Sequence, residues 1–372
     1  MTPKDELAKR GVEDGSHAFT GPYGIQVGLT GYCNYQCEFC FSFSHRRPEN
    51  LPPAENHPQL SPESFNSLVR EAAEMGVEQI SIVGVGEPFL HPSIMDFICL
   101  VKSLGMRCMV TTNGSLLKPQ VVERIIETGV DIINVSFNAS SEKTYGFIHG
   151  SGSARFFNPI VDNLAYMKTL KEKLGAGAPK LSIRFVLSKT NLGEMGDWMD
   201  LALSLGAQEL VVQKIAPPFF APDLALGEED EKTALSAIGK REEPLRKVVL
   251  KSNIGFIVKA FPWVAGGNDL TKYRDLLSGG FYKRYPCLVG WTYVMILEDG
   301  SVRPCCYCGT NMGNINSARF SEIWNGEIYH RFREKSIRLP QEPDGITGCV
   351  CHSGCGSVME NIRAMEKLDL KF

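Results

Sequence analysis

What this chain lacks excludes several function classes at once. It has no run of about 18 apolar residues, the length a membrane-crossing helix needs. Its first residues, Met1-Thr2-Pro3-Lys4-Asp5-Glu6-Leu7, carry no apolar core and do not form a secretory signal. The net charge is only -3, so no nucleic-acid partner and no membrane partner is expected. There is no Walker-type phosphate loop and no Gly-x-Ser-x-Gly turn, and the 7 histidines show no zinc-protease spacing. Internal repeats and low-complexity tracts are also missing. These absences leave a globular protein, expected in the cytoplasm, with one large domain or two unequal ones.

Cysteine, by contrast, is plentiful: the chain has 12. In a reducing compartment that number points to metal ligation and not to disulfides. Three form the loop Cys33-Asn34-Tyr35-Gln36-Cys37-Glu38-Phe39-Cys40. The others cluster late, at Cys287, Cys305, Cys306, Cys308, Cys349, Cys351 and Cys355. Only Cys99 and Cys108 fall between, in apolar settings that suit a small buried hydrophobe. The early spacing, C-x3-C-x2-C, supplies three thiolates. A four-iron cluster needs four ligands, so one iron stays open, and an open iron is a reaction site. Zinc would need its fourth position closed, and the nearest candidate, His45, makes an irregular set.

Residues 24–215 alternate short apolar runs with helical patterns. Strands are expected at 24–29, 79–83, 107–111, 131–137, 180–187 and 209–213. Helices are expected at 61–75, 92–104, 119–128, 157–174 and 194–205. Ser61-Pro62-Glu63-Ser64 opens one helix with a cap and a first-turn proline, and Gly105, Gly129 and Gly206 close others. Six strands and five intervening helices predict right-handed βαβ units. The expected fold class is α/β, a partial (β/α)6 TIM-type barrel with its chemistry at the strand C-termini. An N-terminal extension fills 1–23 and a linker or bridging region fills 216–286, with one charged helix expected over 228–250. A small cysteine-rich α+β domain follows at 287–372, closing in a helix near 357–368.

With these motifs in order, the chain resembles the radical S-adenosylmethionine (SAM) superfamily. The resemblance implies that Cys33, Cys37 and Cys40 hold a [4Fe–4S] cluster whose open iron takes the amino and carboxylate groups of SAM. It places Phe39 near the adenine. Val83-Gly84-Val85-Gly86-Glu87-Pro88 matches the segment that holds the SAM ammonium, with Val85 standing where glycine is common. Thr111-Thr112-Asn113-Gly114 is a further element of the family. Ser136 and Asn138 stand where the family binds ribose, and Arg184 is a candidate for the SAM carboxylate. The implied chemistry is reductive cleavage of SAM to a 5'-deoxyadenosyl radical that takes a hydrogen atom from the substrate, with flavodoxin or ferredoxin as electron donor.

The late cysteines extend the resemblance. Cys287, then Gly300, then Cys305 resembles the start of the SPASM and twitch extensions, which bind auxiliary [4Fe–4S] clusters. Glu298-Asp299-Gly300 reads as a hairpin turn that brings Cys287 and Cys305 together. One auxiliary cluster is expected, on Cys287 and Cys305 plus two of Cys349, Cys351 and Cys355. A zinc knuckle is the alternative. Cys306 and Cys308 have no ligand role, and either is a candidate hydrogen-atom donor to a substrate radical. The substrate is expected to be a small molecule, such as a sugar, an aminocyclitol or another natural-product intermediate, undergoing dehydrogenation, epimerisation or rearrangement. Little chain precedes the first strand to form a peptide-recognition module. A peptide or protein maturase is the second reading, and a non-catalytic iron–sulfur or zinc protein is the third.

Overall fold

A computed structural model describes residues 1–48, 57–215, 218, 220–264, 280–342, 346, 348, 349, 355 and 357–372, without the side chains of residues 151 and 359. The described chain divides into two units. One comprises Met1–Gly31, Pro58–Cys108 and Tyr273–Phe372, and the other comprises Tyr32–His57 and Met109–Lys272.

In the first unit, helix α1 (Pro3–Asp14) starts from a capping box in which Thr2 and Asp5 satisfy each other's backbone N–H groups. Strand β1 (Gly24–Val27) pairs in parallel with β2 (Gln79–Ile82) on one side. On its other side it pairs in parallel with a late strand, β8 (Tyr293–Ile296). Ile25, Val27, Ile80, Ile82, Val294 and Ile296 are buried along these strands. Helices α2 (Pro62–Glu74) and α3 (Ile94–Ser103) pack through Phe65 and Phe97, whose rings stack at 4.1 Å. As expected, Ser61 caps α2 by accepting from the Ser64 N–H at 3.1 Å. The expected hairpin also forms. β8 turns back through Gly300, at φ 82°, into antiparallel β9 (Ser301–Arg303), which pairs with β10 (Gly313–Asn314). Glycine is required at the turn because a Cβ there would lie 2.6 Å from Asn316 Nδ2. The buried guanidinium of Arg333 ties the unit together. Its Nε donates to the Gly290 carbonyl at 2.7 Å and its Nη2 to that of Trp324 at 2.8 Å, over the Trp324 and Tyr329 rings.

Strand β3 (Arg107–Thr112) enters the second unit at Met109. There β3, β4 (Ile132–Ser136), β5 (Lys180–Leu187), β6 (Glu209–Lys214) and β7 (Val249–Ser252) run parallel in that order. The connections are α4 (Pro119–Glu127), α5 (Glu142–His149), α6 (Phe157–Leu174) and α7 (Met195–Ser204). Both faces of β5 are largely buried, as a parallel strand covered by helices requires. The fold class is therefore α/β, with the parallel βα units of a partial (β/α)6 barrel.

The single helix expected over 228–250 does not form. Glu228–Gly239 is helical, Glu242–Leu245 adds one turn, and the chain then extends as β7. Gly239 and Pro244 interrupt the helix, and the β-branched Val248-Val249 run finds the open edge of β6. Among the described residues, no helix is long and apolar enough to cross a membrane.

Candidate active site

The cysteine loop rests on the end of α5. The last carbonyls of a helix lack partners inside it. Here Glu38 N–H donates to the Ile148 carbonyl at 2.7 Å and Gln36 N–H to that of His149 at 3.1 Å. The loop also folds on itself, with Cys40 N–H to Cys37 O at 2.9 Å and Phe43 N–H to Cys40 Sγ at 3.4 Å. At its front, Asn34 donates to Ser115 Oγ and accepts from Asn113 Nδ2, both at 2.9 Å. Burial, and then the neighbouring charges of Cys40 and Cys33, push the Cys37 thiol well above its usual range. The three sulfurs thus share one electrostatic neighbourhood, in which only a cation would favour three thiolates. That donor set suits an iron–sulfur cluster. Among the described residues, no three His, Cys, Asp or Glu side chains converge as ligands of a single ion.

The other expected residues of this unit take varied positions. Phe39 packs against the apolar cluster of Ile215, Ala221 and Leu224. Asn113 is buried and engaged with Asn34 and Ser115, so it holds the loop. Ser136 ends β4 directly across from Arg184 on β5. Burial lowers the pKa of the Arg184 guanidinium, against the opposing charge of Glu209, and its buried Nε has no hydrogen-bond partner among the described residues. A carboxylate ligand would satisfy it. Asn138 is buried, with Oδ1 accepting from Val186 N–H at 2.8 Å and Nδ2 facing His149 Nε2 at 3.4 Å.

His149 was not singled out by sequence reasoning. It is 2% exposed, and its Nδ1 lies 3.0 Å from Cys37 Sγ. Burial alone pulls its pKa down to about 3, so the ring is neutral. The two residues are 112 positions apart and no local pattern joins them. Glu194 anchors the helix that carries it, accepting from Ser140 N–H at 2.7 Å and from the Ser141 and Thr144 hydroxyls at 2.6 Å each.

In the first unit, the Val83–Pro88 segment follows β2. Gly86 N–H donates to the Thr30 carbonyl at 3.1 Å, Val85 is exposed, and the buried Glu87 accepts from Phe89 N–H at 3.2 Å. A second residue unforeseen from the sequence acts here. Glu298, expected only as part of a turn, accepts the Val85 N–H at 2.7 Å while burial pushes its carboxyl pKa up. A Cβ on Gly28 or on Gly84 would overlap that carboxylate, which explains both glycines.

Among the late cysteines, Cys287 and Cys305 are buried, and burial first of all pushes both thiols up, Cys305 to about 12, while the neighbouring charge of Cys305 adds to the shift of Cys287. Cys355 acts on both, and Cys306 interacts electrostatically with Cys305 and Cys355, so these thiols form a second group. Tyr282 links it to the protein, its hydroxyl 3.4 Å from Cys355 Sγ and 2.8 Å from Asn361 Nδ2. Cys306 is exposed. Cys308 and Cys349 are joined as a disulfide, which departs from the expected hydrogen donor at Cys308 and the expected ligand at Cys349. A sulfur bonded to another sulfur has neither an S–H to give nor a free thiolate. Cys351 lies outside the described residues.

Comparison with known proteins agrees with this chemistry. The model of the radical SAM superfamily matches residues 27–202, and that of the SPASM iron–sulfur cluster-binding domain matches residues 287–353. The chain is similar to the AdoMet-dependent heme synthase of Oleidesulfovibrio alaskensis, 26% identical over 93% of this chain and 84% of that protein. It is also similar to the probable GTP 3',8-cyclase of Thermococcus kodakarensis, 27% identical over 69% of this chain and 82% of the relative. The crystal structure of Streptococcus suis SuiB bound to S-adenosylmethionine shares the fold, with a TM-score of 0.60 and 17% identity over 92% of this chain and 75% of that one. The motifs, the thiol groups and the two family matches converge on one conclusion: the chain belongs to the radical SAM superfamily, as an enzyme that uses SAM and [4Fe–4S] clusters and carries a C-terminal SPASM domain.

Proposed function

We propose that this enzyme takes a hydrogen atom from a small-molecule substrate, with dehydrogenation, epimerisation or rearrangement as the outcome. The observation that carries the substrate class is the similarity, over most of the chain, to proteins named for heme synthesis and GTP cyclisation. Those names widen the class beyond sugars and aminocyclitols. When bound, the reduced cluster supplies the electron that cleaves SAM, and so the radical that attacks the substrate. Cys33, Cys37 and Cys40 hold that cluster. Gly86 and Glu87 hold the SAM ammonium, Ser136 and Asn138 the ribose, and Arg184 the carboxylate, a role its buried Nε, without a partner among the described residues, supports. Cys287, Cys305 and Cys355 hold the auxiliary cluster, with Cys351 as the fourth thiolate. Domain limits of 24–215 for the barrel and 287–372 for the auxiliary domain accompany this reading, with flavodoxin or ferredoxin as reductant.

The second reading, a peptide maturase, is favoured by the fold shared with SuiB, which has been solved with its precursor peptide SuiA. One experiment separates the two. Anaerobically reconstituted enzyme is given SAM, reductant and candidates deuterated at single carbons. Deuterium in 5'-deoxyadenosine from a small molecule supports the first reading. Transfer only from a peptide encoded beside the gene overturns it.

A further inference from the structure

A hydrogen-bond chain through His149 joins the cysteine loop to Asn138, and the atoms themselves settle its direction. Asn138 Oδ1 accepts the Val186 N–H at 2.8 Å, which fixes the orientation of the side-chain amide. The atom facing His149 Nε2 at 3.4 Å is therefore Nδ2, which only donates. His149 Nε2 must then carry the lone pair. A doubly protonated ring would set two donors against each other, so the single ring proton sits on Nδ1, 3.0 Å from Cys37 Sγ.

We propose that His149 is a positioning residue that donates its Nδ1–H to the Cys37 thiolate and so sets the reduction potential of the cluster Cys37 helps to hold. This rests on the reading of Cys37 as a cluster ligand. The ring is held for the task, with the Tyr145 ring at 4.3 Å and the Tyr35 ring at 5.3 Å. Donor and acceptor also share one support, because the loop N–H groups of Gln36 and Glu38 bind the last carbonyls of the helix that carries His149. A hydrogen bond to a cluster sulfur stabilises negative charge, and the reduced state carries one more electron. Loss of the donor therefore makes the cluster harder to reduce. The other end of the chain is Asn138, which donates to the Nε2 lone pair, so the same ring orients a residue proposed to bind the SAM ribose.

The test is an EPR-monitored redox titration of anaerobically reconstituted holoenzyme. His149→Leu removes the donor. His149→Asn returns an amide nitrogen near the Nδ1 position, whereas His149→Gln places its amide near Nε2. We expect the Leu and Gln variants to titrate at more negative potential, by about tenfold in the reduction equilibrium or about 59 mV for one electron. The Asn variant should stay close to the parent enzyme, with equal iron per chain throughout. If the Leu variant does not load iron, the contrast between Gln and Asn carries the test alone. Loaded Gln and Leu variants that titrate with the parent overturn the proposal. Cys37→Ala tests the underlying reading separately. Loss of the SAM-responsive signal in that variant upholds Cys37 as a ligand, whereas a retained signal sinks both.

Discussion

Two kinds of side chain at the proposed SAM site differ in how readily a local sequence pattern exposes them. Cys33, Cys37 and Cys40, the proposed cluster ligands, are legible because their spacing alone suggests three thiolates. Replacing any one of them with Ala should lower iron by about one cluster per chain, and SAM cleavage to 5'-deoxyadenosine should fall below detection by chromatography. Arg184 is legible only as an arginine on a strand. Its significance appears once its Nε is seen buried without a partner among the described residues. If it binds the SAM carboxylate, Arg184→Ala should weaken SAM binding about 10–100-fold, as expected for a lost charge-assisted pair worth about 1.5–3 kcal/mol. Arg184→Lys should recover only part, because an ammonium cannot offer the guanidinium fork. Calorimetric titration of the holoenzyme with SAM reads both. His149 and Glu298 were not legible as functional residues at all, since each acts across a long stretch of chain on a group no local pattern names.

At the level of elements, legibility follows signal strength. α6 and β5 run over the expected residues, 157–174 and 180–187, because each has a strong pattern and a clear stop. α5 was missed: it is short, and its start is secured from outside by Glu194. That carboxylate accepts five hydrogen bonds from Ser140, Ser141 and Thr144, and together they hold its pKa below the usual value although burial opposes them. A depressed carboxyl pKa stabilises the fold above the unfolded value of about 4.5, and that contribution is lost as pH falls through the lower folded value. Glu194→Gln should therefore flatten the fall in melting temperature below about pH 4.5. At pH 7 it should cost about 2 kcal/mol, because the charged acceptor is gone. Since α5 supports the cysteine loop, the same variant should load less iron, which a colorimetric iron assay would show.

For the molecule as a whole, the succession of parallel strands was readable from alternation and glycine stops, but β7 was not, because a charged segment hid a short β-branched run. The late cysteines were readable as a metal field, and the grouping of Cys287 and Cys305 with Cys355 lay within that reading, but the disulfide of Cys308 with Cys349 did not, since 41 residues separate the two and no local pattern joins them. The fit of the first unit depends on Arg333. Arg333→Leu strands the carbonyls of Gly290 and Trp324 and should destabilise the protein by about 3 kcal/mol, measured by denaturant titration. β8 lies against β1 as a parallel neighbour, and the Glu298 that follows it holds the Val85 amide in the space left by Gly28 and Gly84. The C-terminal SPASM segment is therefore no detachable accessory. A chimera that grafts a relative's SPASM domain onto this barrel has to inherit an acid at position 298, or the turn after β2 will be left with a hole where its keystone was.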